Sequence, residues 1–284
     1  MAFVEFGLNG IFLGAVFGLL ALAIAVVWMT TDILDVATGS YAAAAGMVAV
    51  WAGPPWGALL GILAATALSG TMGVIFLIFR RLGATRDTIL IVLCTIAYSF
   101  VIESALQSVF GTDNRFFPSV PGALEMAGLF LTLQGVFASL VAIVLLAGLL
   151  VALRWSPAGL LMRASAISAK SASLTGIPVR RVQFVVFLLG GAIAGVAGVL
   201  ASMSIGVSYS SGFALSIIAF SGAVVLGRVT VSLAFTGGLL IGLAIALGQA
   251  YLPQGWDAAT APILIVAVLC SGLVSRDIFH GARP

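Results

Sequence analysis

The chain has 284 residues, of which 62% are hydrophobic and 7% are charged. Soluble domains are about one-quarter charged, so this composition excludes a cytosolic enzyme. The net charge of +3 comes from 12 basic and 9 acidic residues, and so few basic residues exclude a nucleic-acid-binding surface. Cys94 and Cys270 both lie in apolar runs, and they predict neither a disulfide framework nor a metal site.

Apolar runs divide the chain into segments that can cross a bilayer, which takes about 20 residues. The seven long runs are Leu8–Met29, Trp56–Phe79, Thr88–Phe110, Met126–Leu153, Val182–Met203, Val229–Trp256 and Ala258–Ser275. Two shorter runs are Ala37–Gly53 and Phe213–Gly227. The first long run lacks a preceding basic region, so we expect a retained anchor. The predicted fold class is an all-α integral membrane protein, a polytopic bundle of eight or nine segments.

The basic residues predict the orientation of the bundle. If both short runs cross like the others, 11 of the 12 basic residues fall on one face, and only Arg115 lies opposite. Basic loops stay in the cytoplasm. We therefore expect a periplasmic N-terminus and a cytoplasmic C-terminus.

The order of long and short runs predicts an inverted repeat within a single domain, residues 1–284. Residues 7–110 and 182–275 each contain a long, a short and two long runs. The linking span 126–153 makes the second set run through the membrane in the opposite sense. Inverted repeats with a short segment at the same place in each half are typical of transport pathways.

Glycines spaced by four residues recur on several predicted helices, as in Gly10, Gly14 and Gly18. This spacing lets helix backbones approach closely in lipid. A dimer face is one interpretation. Packing inside the bundle is favoured because the spacing also occurs at Gly57/Gly61, Gly191/Gly195 and Gly238/Gly242.

The fourth segment carries a polar face of Thr95, Ser99, Glu103 and Gln107, spaced by four residues. A carboxylate is costly in lipid, so Glu103 is expected to face the interior, either lining a pathway or pairing near the interface.

The approach to the first short segment combines acids with a Thr-Gly-Ser turn. The candidate pathway residues here are Asp35, Thr38, Gly39, Ser40 and Tyr41. The N-terminus of a half-length helix favours a substrate carboxylate. The alternative is an ordinary connection in which Asp35 or Thr38 caps the helix.

The loop 154–181 is the least apolar part of the chain. Ser156-Pro157 predicts a helix start, and Gly176 followed by Pro178 predicts its end. A basic helix on the cytoplasmic face suits the docking of a partner, or electrostatic attachment to anionic lipid. Because the one histidine, His280, lies in the tail and no nucleotide-binding motif is present, neither an enzyme nor a bound cofactor is expected.

Three stretches of the chain resemble the permeases of branched-chain amino acid ABC importers, the LivH-like family. They are the loop Arg163–Ile177, the glycine-rich Phe187–Leu200 and the terminal stretch Gly222–Gly227 with Gly237–Gly242. Leu34–Gly39 occupies the place of the family's Asn-Phe-Ala-His-Gly motif and matches it at Ala37 and Gly39.

The resemblance implies a bacterial inner-membrane permease for branched-chain amino acids or related small polar solutes. Its partners would be a second, LivM-like permease, two cytoplasmic ATPases, an extracytoplasmic solute-binding protein and membrane lipid. The ATPase-coupling residues implied are Arg163, Ala164, Lys170, Leu174 and Gly176. An autonomous secondary transporter or channel is the alternative that the inverted repeat also allows.

Overall fold

The computed structural model describes residues 2–81, 88–118, 122–126, 129–226, 229–251 and 263. Six of the described helices are long and apolar enough to cross a membrane. They are Phe6–Thr31, Gly57–Arg81, Ile89–Phe110, Leu133–Trp155, Val179–Ser204 and Val231–Tyr251. The described chain is therefore a helical, polytopic membrane protein with one small hairpin. The predicted segment Ala258–Ser275 lies outside the described residues except for Ile263.

Four helices form the first part of the bundle. They are α1 (Ala2–Thr31), α2 (Thr38–Ala52), α3 (Gly57–Arg81) and α4 (Thr88–Phe110). The 15 residues of α2 extend about 22 Å at 1.5 Å per residue, which is shorter than the hydrocarbon core of about 30 Å. The predicted short segment Ala37–Gly53 is therefore a half-length helix.

A two-stranded hairpin precedes the next helix. Strands β1 (Ala123–Met126) and β2 (Leu129–Thr132) pair antiparallel and lead into α5 (Leu133–Trp155). The predicted span Met126–Leu153 is therefore wrong at Met126 and over Leu129–Thr132, which lie in the two strands. A short apolar run suits a strand as well as a helix, so hydropathy alone does not distinguish the two.

The loop 154–181 contains two helices, α6 (Pro157–Ile167) and α7 (Ala169–Leu174). The predicted start is confirmed, because Ser156 Oγ accepts the Gly159 N–H at 3.0 Å with Pro157 at the first helical position. The prediction of one continuous helix is wrong. Ser168 is extended, with φ −160° and ψ 108°, and its side chain accepts the Ser171 N–H to begin α7.

The predicted end of this region at Gly176 is confirmed. Gly176 has φ +85°, a backbone conformation that favours glycine. Its N–H donates to the Ser173 carbonyl, and the Ile177 N–H donates to the Ala172 carbonyl. This pair of bonds is the Schellman arrangement that satisfies the last carbonyls of a helix.

Three helices complete the described chain: α8 (Val179–Ser204), α9 (Ser211–Val224) and α10 (Val231–Tyr251). With 14 residues, α9 is the second half-length helix. Between α8 and α9, Val207 and Arg115 exchange two backbone hydrogen bonds at 2.9 and 3.0 Å. We call the end of the bundle with the hairpin and Arg115 the hairpin end, and the opposite end the α6–α7 end.

Close helix packing places α1 and α8 at the centre of the bundle. Helix α1 packs against α10, α8 and α9, and α8 packs against α3 and α2 as well. In the most apolar window of α1, 83% of the residues are buried, against 11% in α5. The core is therefore built around α1, and α5 lies at the periphery.

The glycine stripes are confirmed as internal packing surfaces. Gly14 of α1 faces Gly242 of α10, and Gly18 faces Gly238, so two backbones meet with no side chain between them. Gly191 and Gly195 of α8 pack on the small residues Ser69 and Ala65 of α3, and Gly57 and Gly61 of α3 pack on the backbone of α2.

Candidate functional site

Two half-length helices meet at their N-termini near the middle of the bundle. The Gly39 N–H in the first turn of α2 donates to Ser216 Oγ of α9 at 2.9 Å. Ser216 Oγ in turn donates to the Gly212 carbonyl at 3.1 Å. From this meeting point α2 runs to the hairpin end and α9 to the α6–α7 end. We call the meeting point, made of Gly39, Ser40, Gly212 and Ser216, the half-helix junction.

Only glycine fits on both sides of this junction. A Cβ atom on Gly39 would lie 2.3 Å from the Gly212 carbonyl oxygen, and one on Gly212 would lie 2.6 Å from Ser40 Oγ. Both distances are far below ordinary van der Waals contact, which begins at 3.4 Å. The two glycines therefore allow the helix ends to overlap side by side.

Helix α4 lies beside the junction and contributes its polar face. Ser99, near the middle of α4, shares a 2.6 Å hydrogen bond between its hydroxyl and that of Ser40. Both serines are fully buried. Buried hydroxyls need such partners because an unpaired polar group inside a membrane protein costs several kcal/mol, about 2–7 in apolar surroundings.

Glu103 of α4 binds the N-terminus of α9. Its Oε1 accepts the Phe213 N–H at 2.7 Å, and Phe213 is the third residue of that helix. First-turn amides have no partner inside a helix, and the helix dipole favours a negative charge there. The half-buried carboxylate thus satisfies a free amide at the junction. Beside it, the rings of Phe100 and Phe213 stack with centroids 5.9 Å apart.

Asp35 lies in the connection that leads into α2 and is buried. Its Oδ1 accepts the Ala37 N–H at 3.0 Å, and the Tyr41 hydroxyl donates to Oδ2 at 3.2 Å. The Thr38 hydroxyl donates to the Asp35 carbonyl at 2.9 Å. The prediction that Asp35 or Thr38 caps α2 is wrong in detail, because the N-cap residue is Ala37 and has no side-chain bond. Asp35 instead holds the turn just before the helix.

The structure brings together most of the predicted pathway residues. Thr95 joins the group, since its hydroxyl accepts the Val36 N–H at 3.3 Å. Gln107, one turn beyond Glu103, has an exposed side chain and lies outside the junction. The four-residue spacing explains the difference, because that spacing drifts around the helix and turns Gln107 away from its neighbours.

Sequence reasoning missed the α9 side of the junction: Gly212, Phe213 and Ser216. A signal was present, because both short helices open with a small hydroxyl residue followed by glycine. These pairs are Thr38-Gly39 and Ser211-Gly212. Comparing the starts of the two short helices reveals this pair, whereas the predicted second run, Phe213–Gly227, begins just after it.

The candidate coupling residues lie together at the α6–α7 end. Arg163 and Ala164 belong to α6, and its neighbour Ile167 is 86% exposed. Lys170 and Leu174 belong to α7, where Leu174 is 81% exposed, and Gly176 follows directly. Each of these helices thus presents a large apolar side chain that no element of the described chain covers.

The chemical groups at the junction suit binding and conformational change. They comprise helix amides, serine hydroxyls and the carboxyl groups of Asp35 and Glu103. Within the described ranges, no group of three or more His, Cys, Asp or Glu side chains could hold a metal ion. Two broken helices around a buried polar centre, inside an apolar bundle, define a membrane protein of the transport class.

Comparison with known proteins identifies the family. The chain belongs to the family described as the branched-chain amino acid transport system permease component, whose model matches residues 7–270. The LivH high-affinity branched-chain amino acid permease proteins of Salmonella typhimurium and Escherichia coli K12 are each 26% identical over 289 residues, covering 94% of both chains. A probable LivH of Methanocaldococcus jannaschii is 27% identical and covers 84% of this chain and 78% of its own. No solved structure matches the chain significantly.

Proposed function

We propose that this chain is the permease subunit of an ATP-driven ABC importer in the bacterial inner membrane. It carries branched-chain amino acids or related small polar solutes and forms part of the translocation pathway by alternating access. The observation that carries the proposal is the half-helix junction, which occurs in a chain of a transport permease family. ATP hydrolysis belongs to partner subunits, and this chain is non-catalytic.

The bundle is a single domain of eight or nine segments with an inverted repeat. Its half-repeats are residues 7–110 and 182–275, joined by the hairpin, the linking helix α5 and the coupling loop 154–181. The packing supports this, because helix pairs that the repeat makes equivalent pack in the same way. The contact of α3 with α8 corresponds to that of α10 with α1, and the contact of α2 with α3 corresponds to that of α9 with α10. The opposite courses of α2 and α9 from their shared junction agree with an inverted relation.

The α6–α7 end faces the cytoplasm, with the N-terminus in the periplasm and the C-terminus in the cytoplasm. Support comes from charge, since Arg80, Arg81, Arg154, Arg163, Arg180 and Arg181 all lie at that end. Arg115 lies at the hairpin end, where it pairs with Val207. The positive-inside rule then gives the orientation.

The pathway passes beside the half-helix junction. Asp35, Thr38, Gly39, Ser40, Tyr41, Ser99, Glu103 and Gln107 remain the proposed pathway residues. The positive ends of the α2 and α9 helix dipoles favour a solute carboxylate, and the Glu103 carboxylate suits a solute ammonium group. Most selectivity resides in the binding protein. Motion of α2 against α9 at the junction would open the pathway to alternate sides.

ATPase subunits dock on α6 and α7 and drive the conformational change of the bundle through these helices. The proposed contact residues are Arg163, Ala164, Lys170, Leu174 and Gly176. Closure of the ATPases would pull on α6 and α7, and α6 transmits the pull to α1, α5 and α8, against which it packs. The complete importer includes a second, LivM-like permease, two ATPases and an extracytoplasmic solute-binding protein, surrounded by membrane lipid.

Affinity purification from the native membrane tests the assembly. We expect a tagged copy of this chain to carry with it an ATPase and a second permease. After reconstitution into liposomes with the solute-binding protein, labelled leucine uptake should require ATP on the α6–α7 side. Purification without any associated ATPase would contradict the proposal.

An autonomous carrier or channel is the second candidate, because the inverted packing fits that class equally. The exposed surface on α6 and α7 distinguishes an importer from a carrier, because an autonomous carrier needs no surface for an ATPase. Ile167→Ser with Leu174→Ser should abolish ATP-driven uptake in an importer without disturbing the fold, because both side chains are exposed. Ile205→Ser, an exposed apolar residue at the hairpin end, is the matched control. Unchanged uptake in the double variant would favour the carrier.

A further inference from the structure

Four arginines gather where α3 ends and α8 begins. Arg80 and Arg81 occupy the last turn of α3, and Arg180 and Arg181 occupy the first turn of α8, which packs against it. Arg80 turns inward and donates to Gln183 Oε1. The other three line a common groove on the outside of the bundle. Among the residues that the structure describes, none of the four forms an ion pair with an Asp or Glu.

Within the described residues, this arrangement holds four positive charges close together without a carboxylate partner. Like charges at close range repel, and the N-terminus of α8 adds the positive end of a helix dipole beside Arg180 and Arg181. Cations are stabilised at helix C-termini, so only Arg80 and Arg81 gain from their place in α3. An anion bound at this point would offset the repulsion and the unfavourable dipole together.

The groove beneath the arginines is apolar. It encloses about 520 Å³ between α3 and α8, and its walls are Val74, Leu77, Ile78, Phe184 and Val185. Three of these side chains, Val74, Ile78 and Val185, are 44–50% exposed. From Val74 to Arg81 the groove follows α3 for about 10 Å, at 1.5 Å per residue. A soluble anion would use only the arginines, whereas an acyl chain would also cover these walls.

We propose that this groove binds an anionic phospholipid of the leaflet at the α6–α7 end. The phosphate lies among Arg81, Arg180 and Arg181, where guanidinium groups can bind phosphate oxygens bidentately. One acyl chain lies along the apolar wall towards Val74. Basic pockets between membrane helices bind such headgroups by the same chemistry. The proposal concerns the outside of the bundle and stands independently of the function proposed for the half-helix junction.

Native mass spectrometry of the full chain in detergent, with any subunits that copurify, tests the proposal. The probes are phosphatidylglycerol and phosphatidylcholine with identical acyl chains. We expect at least tenfold tighter binding of phosphatidylglycerol. Arg81→Gln/Arg180→Gln/Arg181→Gln should reduce that binding at least tenfold. Arg154→Gln, which removes an exposed arginine of α5 outside the groove, should leave it unchanged.

A second variant keeps the test independent of the folding of the triple variant. Val185→Trp keeps every charge but fills the groove, and it should weaken phosphatidylglycerol binding severalfold. Inorganic phosphate at the same concentration should displace little lipid, since it cannot use the apolar wall. Equal binding of the two lipids, unchanged binding in both variants, or full displacement by phosphate would overturn the proposal. The proposal would also be overturned if the triple variant lost a copurifying protein but still bound phosphatidylglycerol as the parent chain does.

Discussion

The contact between Gly14 and Gly242 allows a sharp test of how the bundle is held together. A Cβ atom on Gly242 would lie 2.1 Å from Gly14 Cα and 2.4 Å from its amide nitrogen. Ordinary contact begins at 3.4 Å, so Gly242→Ala leaves the methyl group about 1.3 Å too close. The atoms it meets are backbone, so no rotamer change relieves the contact. Helices α1 and α10 must move apart.

Gly148 of α5 provides the matched control, because a Cβ atom there would have nothing within 4 Å. Glycine to alanine inside a helix gains about 0.8–1 kcal/mol from helix propensity at either position. Overpacking a close contact costs about 1–3 kcal/mol. Because the propensity gain cancels between the two variants, their difference isolates the contact. We expect Gly242→Ala to be less stable than Gly148→Ala by about 3 kcal/mol, the upper end of that range, because backbone meets backbone.

Denaturation of the purified chain in detergent, followed by tryptophan fluorescence, measures the free energy of unfolding of each variant. Gly148→Ala should equal or exceed the parent chain, and Gly242→Ala should fall below it. If the two variants unfold at the same denaturant concentration, close backbone contact between α1 and α10 does not stabilise the bundle and this reasoning is refuted.

Three further predictions concern hydrogen bonds at the junction and in the loop. Glu103→Gln retains an acceptor for the Phe213 N–H and should cost about 1 kcal/mol of stability, whereas Glu103→Leu leaves that amide unpaired and should cost about 2–3, both read from denaturation curves. Asp35→Asn should be tolerated, whereas Asp35→Leu leaves the Ala37 N–H and the Tyr41 hydroxyl unpaired and should cost about 1–3 kcal/mol of stability by the same measurement. Equal losses of stability in the two variants would show that Asp35 does not stabilise the turn through hydrogen bonds. Ser168→Ala removes the N-cap of α7 and should destabilise that helix by about 1 kcal/mol, seen as faster amide hydrogen exchange over residues 169–176 and unchanged exchange in α6.

Much of the fold was predictable because lipid imposes a length on each span. The spans Leu8–Met29, Thr88–Phe110 and Val182–Met203 each lie within an observed helix or coincide with it. The glycine stripes were predictable for a related reason, since close backbone contact needs the absence of a side chain. Hydropathy could not separate strand from helix at Met126 and Leu129–Thr132, because short apolar runs suit both.

Only the α4 side of the half-helix junction was predictable from spacing along the sequence. Ser99 and Glu103 could be placed from helical spacing within one segment. Their partners Ser40 and Phe213 are 59 and 110 residues distant along the chain, so no local pattern joins them. The break at Ser168 was missed because serine is tolerated inside helices, and its preference for a cap emerges only when the chain turns there.

A reversible cross-link from Ser40 of α2 to Ser99 of α4 tests the central claim most directly. Because Glu103 of α4 binds the N-terminus of α9, tying α2 to α4 restrains α2 against α9 at the half-helix junction. The hydroxyl oxygens of Ser40 and Ser99 lie 2.6 Å apart, close to the span of a disulfide of about 2.05 Å. In a Cys94→Ser/Cys270→Ser background, Ser40→Cys/Ser99→Cys should lose ATP-driven leucine uptake on oxidation and regain it on reduction, while each single variant responds to neither treatment. If the oxidised double variant transports leucine as fast as its reduced form, the junction does not move during transport and the account is wrong.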